Sequence, residues 1–217
     1  MKIEACIFDL DGVIVDTAKY HYIAWQRLAR ILGFSFTKKD NERLKGVSRV
    51  RSLEILLEIG SINNFSEEKK TELATQKNEW YVEYITKMTP EEILPGVLDL
   101  LKSIKEQGIK TAIGSASKNA MTILKRIDVL KYFDTVIDGT KVSKAKPDPE
   151  VFVVAANELN ADIKKSIVFE DAEAGVEAAK NGGFYCIGIG STDNLNKADK
   201  VIPGFENFTI DDLVIGD

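Results

Sequence analysis

Residues 3–9, IEACIFD, are apolar, β-branched and aromatic, and predict a short buried strand at the very start of the chain. The rhythm then becomes helical. Between Thr17 and Leu32, the residues Trp25, Leu28, Ala29 and Leu32 recur at i, i+3, i+4 and i+7, with Gly33 placed to stop the helix. SLEILLEIG at 52–60 and SEEKKTELATQKNEWYVEYITKM at 66–88 continue the helical pattern, and no strand pattern interrupts it from about residue 15 to 90.

Beyond Pro90 strands and helices alternate. PGVLDLLKSIKEQG carries Val97, Leu100, Leu101 and Ile104 on one stripe and leads into a strand at 109–114. A helix over 119–127, a strand at 135–139, a helix at 149–159, a strand at 166–170, the helix AGVEAAKNG and the strand YCIGIG follow. Such alternation implies an α/β fold, a doubly wound parallel sheet with helices on both faces. The expected organisation is a core formed by residues 1–14 and 91–217, interrupted by an all-helical segment over 15–90. In sheets of this kind ligands bind beyond the carboxyl ends of the strands, so a segment leaving from the first strand would lie over the site as a lid.

Composition narrows the class without changing that picture. The chain has 217 residues, 44% hydrophobic and 29% charged, with a net charge of −5. These values fit a globular protein and give no basic footprint for nucleic acid. Cys6 and Cys186 sit in apolar runs without metal-type spacing and read as buried thiols in a reducing compartment. With no secretory core segment and no apolar run long enough for a membrane, a cytoplasmic location is expected.

The chemistry is concentrated where each strand ends. The first strand delivers Asp9 and Asp11, whose i, i+2 spacing sends both carboxylates to one side of an extended backbone, and Gly12 lets the chain turn. The 109–114 strand delivers Ser115, Ala116 and Ser117 at the start of a helix, where an anion is favoured. The 135–139 strand leads into KVSKAKPDP with Lys146, and the 166–170 strand into Glu170 and Asp171. Oxygen ligands without His or Cys suit Mg2+, a carboxylate can act as nucleophile, and hydroxyls with a lysine can hold a phosphoryl group. Phosphoryl transfer is the chemistry these residues have in common.

DLDGVIVDT, the SAS loop, KAKPDP and VFEDAEAG, in this order and spanning nearly the whole chain, resemble the four motifs of the haloacid dehalogenase superfamily. The resemblance implies that Asp9 is the nucleophile and Asp11 the general acid/base. It further implies that Ser115 and Lys146 hold the transferring phosphoryl group, and that Asp9, the Asp11 carbonyl, Glu170 and Asp171 hold Mg2+. The helical segment resembles the lid of the superfamily's mutases that interconvert β-glucose 1-phosphate and glucose 6-phosphate through glucose 1,6-bisphosphate. The matching residues are His21 and Trp25 after Thr17, the run Lys45, Gly46, Val47, Ser48 and Arg49 followed by Ser52, then Lys77 with Asn78. Arg49 would hold the distal phosphate, with Ser117, Lys118 and Asn119 along the same edge as Ala116. Thr17 and the residues near Pro90 are the expected hinges.

Three alternatives stay open at this point. A phosphatase of small sugar phosphates or phosphoglycolate would share the core. A receiver-like module would share the acidic pocket but not the long helical segment. Dinucleotide binding is disfavoured, because GIGSTD sits on the last strand and lacks the third glycine. A monomer acting on a small sugar phosphate, with no nucleic acid and no membrane, is the expectation.

Overall fold

The computed structural model describes residues 2–44 and 47–214. Its centre is a sheet of six parallel strands: β1 (Ala5–Phe8), β2 (Lys110–Gly114), β3 (Thr135–Ile137), β4 (Ser166–Glu170), β5 (Tyr185–Ile189) and β6 (Lys200–Ile202). Their order is β3-β2-β1-β4-β5-β6, so the winding direction reverses at β1. The crevice created by that reversal opens at the carboxyl ends of the strands.

β1 shows why the strands read as unbroken apolar runs. Cys6 and Phe8 enter one apolar layer, Ala5 and Ile7 the other, and all four are buried. Helices cover both faces, so no position on the strand tolerates a polar residue. Phe8 stacks on Phe169 of β4, with ring centroids 4.5 Å apart. The stripe on α5 (Val97–Glu106), namely Val97, Leu100, Leu101 and Ile104, is buried in the same layer as Cys6 and Phe8. The helices α6 (Ala120–Arg126), α7 (Glu150–Glu158) and α8 (Glu173–Asn181) complete the alternation. Cys6 and Cys186 are both free and buried, in different apolar layers.

Between β1 and α5 the chain forms α1 (Ala18–Ile31), α2 (Lys38–Glu42), α3 (Arg49–Ile59) and α4 (Glu67–Ile85), with α4 packed against both α1 and α3. Exit and return lie side by side. Val15 pairs with Ile93, the Leu94 N–H donates to the Ile14 carbonyl at 3.0 Å, and Glu92 accepts from Tyr20 Oη at 2.6 Å while pairing with Lys19.

Four local features differ from the pattern reading. α3 begins at Arg49, ahead of the SLEILLEIG run, because Ser48 caps it by accepting from the Arg51 N–H. α2 has no apolar stripe and forms through a capping box, Thr37 with Asp40. The strand expected at 135–139 ends at Ile137, where the Asp138 carboxylate accepts from the Thr140 N–H and bends the chain. β6, only three residues long, was too short for periodicity to reveal. Among the described residues no helix is long and apolar enough to cross a membrane.

Leu101 is fully buried beneath the sheet. Leu101→Ala is expected to lower stability by about 2–5 kcal/mol, read as a fall in the urea midpoint at unchanged slope.

Candidate active site

Asp9 follows β1 directly, and its N–H is held by the Phe169 carbonyl of β4 at 2.9 Å. The Asp11 N–H donates to Asp9 Oδ2 at 2.9 Å, so the backbone turns around the first carboxylate. Lys146 reaches in from the segment after β3. Its Nζ lies 2.6 Å from Asp9 Oδ1 and 2.5 Å from Glu170 Oε1, 4.7 Å over the Phe152 ring, with the side chain 1% exposed. Burial alone would push this ammonium's pKa down, but the two carboxylates outweigh it and hold it up, so the lysine is charged. The other Glu170 oxygen accepts from the Ala172 N–H at 2.8 Å.

Two glycines make room for these acids. Gly12 has φ +83°, and a Cβ there would strike the Asp171 carboxylate. A Cβ on Gly175 would strike the Glu170 carboxylate.

Asp11 accepts a hydrogen bond from Thr17 Oγ1, the residue ahead of α1. Burial, then the charge of Asp9, raises the Asp11 pKa to about 7 against the opposing pull of Thr17, Lys146 and Lys77. Opposite, Lys77 on α4 is buried, with its Nζ 2.9 Å from His21 Nδ1 and 4.4 Å over the Trp25 ring. Burial, then Arg49, lowers the Lys77 pKa to about 7. Burial, then Lys77 and Arg49, takes His21 well below its usual value. The imidazole is therefore neutral and accepts at Nδ1. His21 also stacks on Tyr81, with centroids 4.1 Å apart.

A cavity of about 300 Å³ joins these groups. Its wall includes Asp9, Asp11, Gly12, Glu170, Asp171 and Lys146 from the sheet edge, and Thr17, His21, Trp25, Val47, Ser48, Arg49, Ser52, Lys77 and Asn78 from the helical segment. Ala116, Ser117, Lys118 and Asn119 also line it, and Asn119 Nδ2 donates to Asn78 Oδ1 at 2.9 Å, joining α4 to the start of α6. Ser115 is placed differently: it is fully buried behind this wall, its Oγ accepting from the Ser117 N–H at 3.1 Å. Lys45 and Gly46 lie outside the described residues.

The wall also holds residues that the sequence did not single out, among them Asn41, Leu44, Gly139, Ser143 and Lys144. Asn41 sits on α2, where no periodicity pointed. Lys144 is exposed yet borders the cavity and pairs with Asp148 at 3.3 Å.

The donor set suits Mg2+. Carboxylates and backbone carbonyls are hard ligands, and the space left by Gly12 beside Asp171 is a cradle that a Cβ would fill. Among the described residues no three His, Cys, Asp or Glu side chains converge as a ready-made metal cage.

The haloacid dehalogenase-like hydrolase model matches residues 3–183, and the chain belongs to that family. Within it, the chain is 41% identical to the β-phosphoglucomutase of Bacillus subtilis (strain 168) over 209 residues, 96% of this chain and 92% of the relative. A crystal structure of β-phosphoglucomutase from Clostridium difficile superposes with TM-score 0.92 at 42% identity, covering 96% and 94% of the two chains. A phosphorylated carbohydrates phosphatase of Thermotoga maritima is 35% identical, over 89% of this chain and 87% of its own.

Removing the lysine leaves two buried carboxylates unpaired. Lys146→Met is expected to lose about 3–5 kcal/mol in urea unfolding, and adding Asp9→Asn should recover part of it. Lys77 supplies a pH signature. Its folded pKa lies below its unfolded one, so the unfolded chain binds more protons between about pH 7 and 10.5 and stability rises with pH across that window. Lys77→Met should flatten this rise, as measured by urea midpoints at a series of pH values.

Proposed function

We propose that this chain interconverts β-D-glucose 1-phosphate and D-glucose 6-phosphate, with β-glucose 1,6-bisphosphate as the intermediate. The observation that carries the reading is the single cavity in which Asp9 and Asp11 face the Arg49 and Lys77 side of the helical segment. Its likeness to β-phosphoglucomutases over nearly the whole chain supports the choice of substrate.

In this reading the resting enzyme carries phosphate on Asp9. The 6-hydroxyl of β-glucose 1-phosphate attacks the phosphorus, Asp11 takes the hydroxyl proton, and the bond from phosphorus to Asp9 breaks to give the bisphosphate. The bisphosphate turns over in the cavity. Asp9 then attacks the phosphorus at position 1, Asp11 returns its proton to the departing sugar oxygen, and glucose 6-phosphate leaves. An Asp11 pKa near 7 suits both directions of that proton transfer.

Lys146 offsets charge on Asp9 and on the transferring group, while Arg49 holds the distal phosphate with Ser117, Lys118 and Asn119. Lys45, Gly46, Val47, Ser48, Ser52, His21 and Trp25 complete the sugar side, and Thr17 links the hinge to Asp11. Ser115 holds the transferring phosphoryl group together with Lys146. Asp9, the Asp11 carbonyl, Glu170 and Asp171 would hold Mg2+, which would supply positive charge for the transferring phosphoryl group. Residues 15–90 act as the lid that keeps water from phospho-Asp9. The enzyme would work as a cytoplasmic monomer on a small sugar phosphate.

Incubation with Mg2+, β-glucose 1-phosphate and a trace of the bisphosphate should yield glucose 6-phosphate with little free phosphate. Free phosphate outrunning glucose 6-phosphate would favour instead the phosphatase reading that the Thermotoga relative suggests. Arg49→Ala should cut mutase turnover by about a hundredfold while leaving phosphorylation of Asp9 by acetyl phosphate unchanged. Equal losses in both would remove the distal-phosphate assignment.

A further inference from the structure

Two buried side-chain oxygens lack a hydrogen-bond partner among the described residues, Asn41 Oδ1 and Tyr81 Oη. The Tyr81 hydroxyl is packed near Thr17 and Tyr81 does not line the cavity. Asn41 does line it, at 6% exposure. The main chain around Asn41 is fully engaged. Its N–H donates to the Thr37 carbonyl at 3.1 Å, its carbonyl accepts from the Leu44 N–H at 3.0 Å, and the Thr37–Asp40 capping box fixes the turn. Only Oδ1 of the side-chain amide is left without a partner.

A buried, unpaired amide oxygen destabilises the protein that carries it. A chain that holds one rigidly at a cavity wall has a use for it there. The amide is neutral, while the charged groups nearby, Arg49 and Lys77, already match phosphate. A fully ionised phosphate has no proton to donate to Oδ1, whereas each hydroxyl of a sugar ring both donates and accepts.

We infer that Asn41 is a specificity-determining residue that hydrogen-bonds one hydroxyl of the hexose ring and neither of its phosphates. The inference rests on the mutase reading for the identity of the sugar. Its consequence is that the enzyme discriminates among hexose phosphates at one ring position through α2. A site whose buried amide stays unpaired with the wrong sugar rejects that sugar more strongly than one that merely lacks a contact.

The test compares Asn41→Leu, an apolar near-isostere, with the unaltered protein. The ligand-free melting temperature of the variant should hold or rise, because an unpaired buried amide is gone. KM for β-glucose 1-phosphate should rise about tenfold, with phosphorylation of Asp9 by acetyl phosphate unchanged. Across a panel of monodeoxy β-glucose 1-phosphates, the variant should lose discrimination against one analogue and keep it against the others. An unchanged discrimination pattern, or a lower melting temperature with unchanged KM, would overturn the assignment. Should the leucine variant not fold, Asn41→Ala carries the same comparison of analogues. Failure of the mutase reading is seen separately, as an unaltered protein that does not convert β-glucose 1-phosphate at all.

Discussion

One ammonium between two carboxylates sets the terms for the whole active end of the sheet. Lys146 is the counter-charge that lets Asp9 and Glu170 stand at the ends of neighbouring strands β1 and β4 with almost no solvent around them. The strands contribute the spacing, the Phe8–Phe169 stack keeps their ends in register, and Gly12 and Gly175 clear the space each acid occupies. A parallel sheet collects its strand ends on one edge, so this concentration of charge follows from topology once the motif residues are in place. Asp11 stands just outside the clamp, and its pKa is raised first by burial and then by the charge of Asp9.

The helical segment answers with charges of the opposite sign, arranged with equal economy. Lys77 is buried against Trp25, Tyr81 and a neutral His21, and Arg49 depresses it further. Two cations held this close repel each other unless an anion lies between them. The cavity thus has an acidic floor, in which Lys146 is the counter-charge, and a cationic roof.

Much of this was legible in the chain. The alternating strands and helices, the helical interruption and the acids at the strand ends follow from periodicity and from the position of polar residues after apolar runs. What escaped has a common cause. β6 and α2 span three and five residues, too few for a strand or helix period to repeat enough to be read, and α2 is held by a capping box instead of a buried stripe. Asn41 was missed with α2, since a polar residue on a polar turn carries no signal.

The paired exit and return of the helical segment have a meaning beyond anchoring. Because the chain leaves at Val15 and rejoins beside it at Ile93, the sheet experiences everything between them as a single closed loop whose ends are already together. The entropy of closing such a loop grows only slowly with its length. Helices can therefore be lengthened, shortened or exchanged between those two residues without disturbing a single strand register. Catalysis and recognition thus become separately heritable: a lineage can keep the charged clamp and replace the roof above it.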